Sequence, residues 1–301
     1  MNIEDSLDTV FKSVKKVSGF NFTKHTTYGC GGNANSAYYP ETPEQAAAVY
    51  KNLKQRGDRF ITLGNGSNVL VADGGFDGEV IATKYLQGTR QSSPDSFMCF
   101  AGTTVANILK FCKANGFGGL EYLVGIPATC GGLVYMNGGA AGKYICENIK
   151  NVYIYDGEFR VLTNKECQFG NKHSIMRDID CIILAAEFNF IPKSQKDIET
   201  DSAYYLEKRR KHPKGKSCGC VFKNVGGISA GKLIDETGLK GLTIGGAAVS
   251  RDHANFILNT GTRSADVYAL IKEVKRRVLD KTGILLEEEV VYIGDFNDSF
   301  G

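Results

Sequence analysis

The segment KSCGCVFKN, residues 216–224, carries two thiols, Cys218 and Cys220, on either side of one glycine. An ordinary thiol has a pKa of about 8.5, so at neutral pH it is mostly protonated and can donate a proton during catalysis. Two sulfurs at this spacing can also form a redox pair, or ligate zinc together with His173 or His212, although no second CxxC or HxxxH supplies a well-spaced pair. Buried thiols without a chemical role are a further interpretation.

Three consecutive glutamates, Glu287, Glu288 and Glu289, precede the apolar residues VVYI near the end of the chain. If ILLEEEVVYIG is a strand, alternate side chains point to opposite faces, so Glu288 points away from its two neighbours. A glutamic acid that stays protonated in a desolvated site can donate a hydrogen bond to developing negative charge. A solvated acidic face is the other interpretation of the same three residues.

The glycine-rich segment GNGSNVLVADGGF, residues 64–76, follows a predicted strand. Gly64 and Gly66 permit backbone conformations that other residues avoid, and Ser67 and Asn68 add hydroxyl and amide donors. Successive N–H groups in such a loop form a concavity that suits a pyrophosphate. A strand-like VLVA follows rather than a helix, so the segment is not the GxGxxG dinucleotide fingerprint and is a weak signal alone.

The bulk properties are those of a globular chain of 301 residues, 42% hydrophobic and 23% charged, which is long enough for two or three lobes. The net charge of +3 argues against bulk nucleic-acid binding.

The N-terminus begins with acidic residues and lacks the apolar core of a signal peptide, and no run approaches the about 18 apolar residues of a membrane span. Nine scattered cysteines indicate a reducing cytosol. We expect a cytoplasmic protein without a metal or a membrane partner; its oligomeric state is not revealed.

The elements that must position these residues form an α+β pattern with mixed sheets. Thr42 is a plausible N-cap for a helix that ends at Gly57, and the dipeptide Asp156-Gly157 predicts a hairpin. Further helices are predicted at residues 5–18, in TTVANILKFCKANG, at about 198–211, in SAGKLIDETG and in ADVYALIKEVKRRVLDKTG. Strands are predicted in RFITLG, VLVA, EVIAT, FMCFAG, NVYIY, FRVLT, CIILAAEFNF, TIGGAAVS, ANFILN and ILLEEEVVYIG.

The longest glycine-rich stretch, GLEYLVGIPATCGGLVYMNGGAAG at residues 119–142, resembles a known family. It is similar to the pattern GLExLxGIPGTxGGAxxMNxGAxG of the UDP-N-acetylenolpyruvoylglucosamine reductases (UDP-N-acetylmuramate dehydrogenases), in particular their compact subtype. GNGSNVLVADGGF resembles that family's GxGSNxLVxDxGFxG, HTTYGCGG its NTTxRxGG, SCGCVFKN its SxGSxFKNP and LEEEVVYIG its LExEVRxIG. The resemblance covers about residues 20–293.

The resemblance implies non-covalent FAD bound between two lobes, with NADPH as the reductant. It implies a two-lobed FAD-binding domain of the vanillyl-alcohol-oxidase-like type and a C-terminal α/β substrate lobe. We therefore expect FAD-binding lobes at residues 1–85 and 86–194 and a substrate-binding lobe at residues 195–301. The residues carried over as FAD contacts are Asn65, Gly66, Ser67, Asn68, Ile126, Pro127, Thr129 and Gly132.

The resemblance also implies a reaction, the reduction of UDP-N-acetylenolpyruvylglucosamine to UDP-N-acetylmuramate in peptidoglycan precursor synthesis. The family's proton-donating serine corresponds to Cys220 here, and its second LExEV glutamate corresponds to Glu289. The family arginine of CxFxYRxSxF is replaced by Lys172, which keeps the positive charge but loses the bidentate fork.

The substrate contacts implied by the resemblance are Lys223 and Asn224, with Lys211 as a candidate for the pyrophosphate and His253 for the nucleotide pocket. Gly29 replaces a basic residue of the family pattern, which removes a possible anion contact. Two alternatives stay open: a paralogous FAD oxidoreductase that acts on another sugar nucleotide, and a non-enzymatic thiol or zinc-binding protein with the same fold.

Overall fold

The computed structural model describes residues 3–296. Within this range the chain forms seven α-helices: α1 (Ile3–Phe11), α2 (Pro43–Arg56), α3 (Val105–Asn115), α4 (Cys130–Tyr135), α5 (Gln195–Arg209), α6 (Ala230–Glu236) and α7 (Ser264–Thr282). The strands of the same range are β1 (Lys15–Asn21), β2 (Asn33–Tyr39), β3 (Phe60–Leu63), β4 (Val69–Val71), β5 (Phe76–Ala82), β6 (Thr89–Ser93), β7 (Ser96–Phe100), β8 (Phe117–Gly118), β9 (Gly139–Ala140), β10 (Lys143–Tyr144), β11 (Ile149–Tyr155), β12 (Phe159–Thr163), β13 (Ile182–Asn189), β14 (Ile191–Pro192), β15 (Thr243–Ile244), β16 (Ala247–Val249), β17 (Ile257–Asn259) and β18 (Val291–Ile293).

The chain divides into two compact units, and each has a hydrophobic core of its own. None of the helices within residues 3–296 is both long enough and apolar enough to cross a membrane. The first unit consists of residues up to 17, 36–65 and 79–210, and the second of residues 18–35, 66–78 and 211 onward.

The first unit is built on a five-stranded antiparallel sheet with the strand order β12-β11-β13-β7-β6. The predicted hairpin is confirmed, because β11 and β12 pair with Tyr155 opposite Phe159 across the Asp156-Gly157 turn. Gly157 has a φ of 124°, which residues with a side chain rarely adopt. All residues of β13 except Asn189 are buried, as expected for a central strand with both faces covered.

The caps of α2 are those that its sequence predicts. The hydroxyl of Thr42 accepts a hydrogen bond from the Gln45 N–H at 3.2 Å, and Gly57 ends the helix with a φ of 70°. Strand β3, which follows, runs parallel to β5 in a sheet of order β1-β2-β5-β3. The helix predicted at residues 5–18 is wrong in its second half, because α1 ends at Phe11 and residues from Lys15 form β1.

The second unit has shorter strands. The antiparallel sheet β15-β16-β17 contributes to a core with α6 and α7. The single strand predicted from TIGGAAVS is wrong, because the chain turns at Gly245, which has a φ of 51°, and forms two strands. Its neighbour Gly246 lies so close to Gly261 that an added methyl would stand 2.6 Å from the Gly261 Cα.

The last strand, β18, pairs in parallel with β4, Val291 lying opposite Val69. The prediction that Glu287–Glu289 belong to this strand is wrong, because the strand begins only at Val291. The glutamates lie in a preceding segment that makes an isolated antiparallel bridge between Glu288 and Phe222. Parallel and antiparallel pairs thus occur together with helices, in agreement with the predicted α+β class.

Candidate active site

The first unit brings the start of the glycine-rich loop onto the segment 125–132. The Asn65 side chain donates from Nδ2 to the carbonyl oxygen of Pro127 at 2.7 Å. Gly64 is packed so tightly that an added methyl would collide with Thr129 Oγ1. Asn65 and Pro127 are exposed, so this corner presents an amide and a turn of backbone to solvent.

Thr129 is the N-cap of the six-residue helix α4, and its hydroxyl accepts from the Gly132 N–H at 3.4 Å. The Thr129 side chain is therefore turned inward, which explains its burial. Ile126 is half-buried and donates its N–H to the carbonyl oxygen of Leu123 at 3.0 Å. Gly132 is exposed and has no side chain, so an approaching ligand can reach its backbone.

The second unit contains the continuation of the same loop, Gly66, Ser67 and Asn68. Gly66 has a φ of 61°, and an added methyl would overlap the carbonyl oxygen of His25. The carbonyl oxygen of Gly66 accepts from the Thr27 N–H at 3.1 Å. The loop is thus pressed against residues 25–27, and only glycine fits at position 66.

Asn68 connects this loop to the segment of the three glutamates. Its Nδ2 donates to the carbonyl oxygen of Glu289 at 3.0 Å, and its own carbonyl oxygen accepts from the Val291 N–H at 3.0 Å. The structure therefore brings one predicted FAD contact and one predicted catalytic residue together within the second unit.

The eight predicted FAD contacts have the donor chemistry that a flavin nucleotide requires. They combine glycine backbone, amide groups, hydroxyl groups and apolar surface, and none of them carries a carboxylate that would repel a pyrophosphate. Gly132 is exposed and leaves backbone uncovered where a Cβ would otherwise stand, whereas the missing Cβ of Gly66 makes room for the His25 carbonyl oxygen. On these grounds the residues fit FAD.

Cys220 lies in an extended segment that is paired with two others. It forms an isolated antiparallel bridge with Phe256, and the next residue, Val221, donates its N–H to the carbonyl oxygen of Asn255 at 2.8 Å. On the other side, the carbonyl oxygen of Val221 accepts from the Glu289 N–H at 2.7 Å. The segments of Cys220 and Glu289 are therefore direct neighbours, and both residues are half-buried.

Asn255 is a positioning residue that sequence reasoning missed. Its side chain is 3% exposed; Oδ1 accepts from the Phe222 N–H at 2.9 Å, and Nδ2 donates to the Phe222 carbonyl oxygen at 2.8 Å. This amide takes the place of a strand partner for the Cys220 segment. The sequence feature that indicates this role is an asparagine between apolar residues in ANFILN, because a buried amide must find hydrogen-bond partners.

Cys218 has a different environment from Cys220. Its thiol is buried and donates to the Tyr28 hydroxyl at 3.4 Å, and burial raises the pKa of the thiol to about 12. A thiol this weakly acidic is a poor nucleophile or metal ligand at neutral pH. Across residues 3–296, no group of three or more His, Cys, Asp or Glu side chains is arranged to hold a metal ion.

The other two glutamates of the run form ion pairs. Glu287 is exposed and pairs with the ammonium of Lys223. Glu288 accepts from Lys272 at 2.9 Å and from Lys275 at 2.7 Å, both on α7. Burial favours a raised pKa for Glu288, but the hydrogen bonds from the two lysines outweigh it and the pKa is lowered. Glu288 is thus fastened to α7 as a carboxylate.

The predicted substrate contacts lie in the second unit in different surroundings. Asn224 is exposed and its Oδ1 accepts from the Ala230 N–H at 3.1 Å, which leaves its NH₂ group for a ligand. Lys211 is exposed. His253 is half-buried, its ring centroid 4.9 Å from that of Phe256, and burial lowers its pKa, so the ring is neutral at pH 7. Its Nδ1 accepts from the Asn255 N–H at 3.3 Å, so its Nε2 carries the hydrogen and can donate.

Lys172 belongs to the first unit. Its φ is 56°, a left-handed conformation that is uncommon for a residue with a side chain. Arg177 donates to the carbonyl oxygen of Lys172 at 2.7 Å, and its guanidinium lies 5.6 Å from the centre of the Tyr135 ring. The Lys172 turn is therefore held by Arg177 rather than by a regular strand.

Comparisons with known proteins show which families the two parts of the chain resemble. The FAD binding domain family matches residues 35–163, and the family described as the C-terminal domain of UDP-N-acetylenolpyruvoylglucosamine reductase matches residues 211–293. The fold and the site define an FAD-dependent oxidoreductase.

Proteins similar over nearly the whole chain make the assignment more specific. The UDP-N-acetylenolpyruvoylglucosamine reductase of Syntrophus aciditrophicus is 36% identical over 281 residues, which cover 90% of each chain, and that of Pelobacter propionicus is 35% identical over 91% of this chain and 94% of its own. The crystal structure of the Thermus caldophilus reductase superimposes with a TM-score of 0.79 at 34% identity, over 93% of this chain and 99% of that one. The chain belongs to the UDP-N-acetylenolpyruvoylglucosamine reductase family. The predicted family and fold class are confirmed, and the non-enzymatic alternative is left without support.

Proposed function

We propose that this protein reduces UDP-N-acetylenolpyruvylglucosamine to UDP-N-acetylmuramate with NADPH, as a step in peptidoglycan precursor synthesis. The observation that carries the proposal is the pairing of the Cys220 and Glu289 segments, with the Glu289 N–H bonded to the Val221 carbonyl oxygen at 2.7 Å. This pairing makes neighbours of the two backbone segments that carry Cys220 and Glu289, which supports assigning both residues to one site in a family whose reaction needs a proton donor and a carboxyl group. Because NADPH and the nucleotide sugar are cytoplasmic metabolites, we place the reaction in the cytoplasm.

We propose that Asn65, Gly66, Ser67, Asn68, Ile126, Pro127, Thr129 and Gly132 hold FAD, and that residues 1–85 and 86–194 form its lobes, with residues 195–301 as the substrate lobe. When bound, FAD supplies the hydride, taken from NADPH, for the terminal vinyl carbon of the substrate. The chain's own residues must then handle the charge and the proton that follow.

Cys220 is the proposed proton donor to the carbon that bears the carboxylate. A neutral thiol is more acidic than an alkyl hydroxyl and can deliver a proton if it is held within reach. The half-exposed position of Cys220 supports this role, because a fully buried thiol would not meet a substrate. The bridge to Phe256 and the amide of Asn255 keep its backbone in place.

Glu289 and Lys172 are proposed to stabilise the negative charge that develops next to the substrate carboxylate. A hydrogen bond or a positive charge aimed at a developing enolate lowers the barrier because it is stronger in the transition state than in the ground state. We propose that Lys211, Lys223, Asn224 and His253 contact the UDP-sugar. The free NH₂ group of Asn224 and the Nε2–H of His253 support these assignments.

The experiment compares Cys220→Ala with Cys220→Ser in two half-reactions followed by flavin absorbance under anaerobic conditions. Both variants should be bleached by NADPH at the wild-type rate. Reoxidation by the enolpyruvyl substrate should slow about 10²-fold or more in Cys220→Ala, because the proton donor is gone, and much less in Cys220→Ser, which keeps an O–H group. Cys146→Ala, which removes another half-buried thiol, is the control and should behave as wild type.

Normal reoxidation of Cys220→Ala would remove Cys220 from the mechanism. A wild-type protein whose reduced flavin is reoxidised by a different sugar nucleotide, and not by the enolpyruvyl compound, would instead favour the paralogous oxidoreductase. Testing a panel of sugar nucleotides in the same assay separates these two results.

A further inference from the structure

One lysine side chain in the second unit lies in space that a glycine leaves open. A methyl group added to Gly29 would stand 2.9 Å from Cδ, 3.0 Å from Cε and 3.2 Å from Nζ of Lys216. The Lys216 side chain therefore lies across the backbone of Gly29, which is buried although it belongs to a loop. Gly29 has a φ of 60°, so its conformation as well as its size makes this arrangement possible.

The backbones of the two residues are joined through a third. The carbonyl oxygen of Lys216 accepts from the Asn259 N–H at 2.9 Å, and Asn259 Nδ2 donates to the carbonyl oxygen of Tyr28 at 2.8 Å. Asn259 is 5% exposed, so both hydrogen bonds are shielded from water. The backbone from which the exposed Lys216 side chain extends is thus fixed by buried contacts.

Lys216 differs in its charge balance from Lys223, Lys272 and Lys275, the lysines beside the three glutamates. Lys223 pairs with Glu287, and Lys272 and Lys275 pair with Glu288. No ion pair formed among residues 3–296 includes Lys216. An ammonium without a carboxylate partner is a group to which an anion can bind.

The loop under Lys216 also contacts the glycine-rich loop. Thr27 donates to Gly66 at 3.1 Å, and an added methyl on Gly31 would stand 2.8 Å from Val71 Cβ. Lys216 also acts on this loop electrostatically: burial and Asp73 raise the pKa of Cys30 to about 12, while Lys216 opposes them. The ammonium therefore lies over a loop whose other end touches the proposed FAD contacts.

We propose that Lys216, seated on Gly29, is a binding group for the pyrophosphate of a nucleotide ligand. The assignment rests on the proposed function, which supplies two ligands with this chemistry, FAD and the UDP-sugar. A lysine binds phosphate oxygens as a point charge, so it needs only an ammonium on the right surface; Gly29 leaves room for the Lys216 side chain there, and Asn259 fixes the backbone from which it extends.

The test uses the FAD-containing protein with the variants Lys216→Met and Lys216→Arg, and Lys214→Met as the matched control, because Lys214 is another exposed lysine two residues away. Calorimetry measures the affinity for UDP and for uridine, which lacks phosphate. The FAD-to-protein ratio after prolonged dialysis measures flavin retention.

Lys216→Met should weaken the binding of one of the two ligands about tenfold, as expected for a lost charge-assisted hydrogen bond. Lys216→Arg should restore most of the lost affinity. Weaker UDP binding with unchanged uridine binding identifies the substrate pyrophosphate; faster loss of FAD identifies the flavin pyrophosphate. Unchanged UDP affinity and FAD retention, or equal losses in Lys214→Met, would overturn the inference. A wild-type protein that binds neither FAD nor UDP would overturn the proposed function as well.

Discussion

The two units position their functional residues by different means. In the first unit, the central strands of the five-stranded sheet are paired on both sides, and the site residues lie in loops and turns of that framework. In the second unit, the segments of Cys220 and Glu289 form isolated bridges, and buried side-chain amides supply hydrogen bonds that strands would otherwise make.

The backbone of the site in the second unit is therefore held in place by single residues, whereas that of the first unit is held by the repeated hydrogen bonds of a sheet. A sheet distributes its backbone hydrogen bonds over many residues, so the loss of one side chain leaves the ladder intact. The Cys220 segment has only isolated bridges and a few backbone hydrogen bonds to its neighbours, so the loss of the Asn255 amide is less well compensated. The largest effects of point substitution on the backbone of the site should therefore occur in the second unit.

The strongest test of this comparison is Asn255→Ala against Asn151→Ala. Asn255→Ala leaves the buried N–H and carbonyl of Phe222 without their partners and should lower the free energy of unfolding by about 2–4 kcal/mol. Asn151 lies on β11 with backbone pairing to β12 and β13, and its side chain donates only to Glu187, at 2.8 Å. Asn151→Ala should cost about 1 kcal/mol. Urea unfolding measures both.

Flavin reoxidation by the substrate provides the second readout for the same pair. Asn255→Ala should slow it, because the Cys220 segment loses an anchor, and Asn151→Ala should not. Equal destabilisation by the two variants would mean that the second unit is no more dependent on single amides than the first.

Two glycines of the proposed FAD site, one from each unit, should differ less in the effect of an alanine substitution on stability. Gly66→Ala requires a left-handed alanine and an overlap with the His25 carbonyl oxygen, so it should cost about 2 kcal/mol and release FAD. Gly132 is exposed, and a methyl there would meet only Thr129 Oγ1 at 3.5 Å. Gly132→Ala should leave stability within about 0.5 kcal/mol of wild type and lower only FAD retention.

Thermal unfolding together with the FAD-to-protein ratio distinguishes these outcomes. Full FAD retention in Gly132→Ala would exclude a close approach of the flavin to that backbone. Wild-type stability of Gly66→Ala would show that the loop can move away from residues 25–27.

The sequence was most informative where periodicity and caps act locally. The helix from Thr42 to Gly57 and the hairpin at Asp156-Gly157 were predicted correctly, because capping and turn residues act over a few positions. The same local rules failed for residues 5–18, where an apolar pattern that resembles a helix becomes strand β1 after Phe11. There, pairing with β2 outweighs helical propensity.

The contacts of the site were less accessible to sequence reasoning because they join distant parts of the chain. Asn68 and Glu289 are 221 residues apart, and no local pattern indicates that they are bonded. Gly29 was expected to remove an anion contact, yet the Lys216 ammonium lies above it. The loss of a basic side chain in one motif can thus be compensated by a basic residue of another motif. Only the folded chain shows that the two positions are close.

The smallest expected effect is a difference in the pH dependence of stability between a buried carboxylate of the first unit, Glu187, and a half-buried carboxylate of the second unit, Glu288. Burial favours a raised pKa for Glu187, but hydrogen bonds from Ser96, Ser92 and Asn151, with Lys150 nearby, outweigh it, so its pKa lies below the ordinary 4.5. The pKa of Glu288 is lowered in the same sense by its two lysines. A carboxyl with a lowered folded-state pKa stabilises the protein above its unfolded pKa, and this contribution disappears as the pH falls through the folded value.

Glu187→Gln and Glu288→Gln should therefore each be less stable than wild type at pH 7, by about 1 kcal/mol. The difference should shrink as the pH falls below 4.5 and vanish once the wild-type carboxyls are protonated. Thermal unfolding between pH 7 and strongly acidic pH measures this difference in stability, with Glu158→Gln as the control, because Glu158 is exposed in the β11–β12 turn.

Addition of salt should weaken the stabilising contribution of Glu288 more than that of Glu187. Glu288 is held by lysine charges at a more exposed site, whereas Glu187 is held chiefly by neutral hydroxyl and amide donors. An equal response to salt would mean that the carboxylates of the two units are stabilised in the same way.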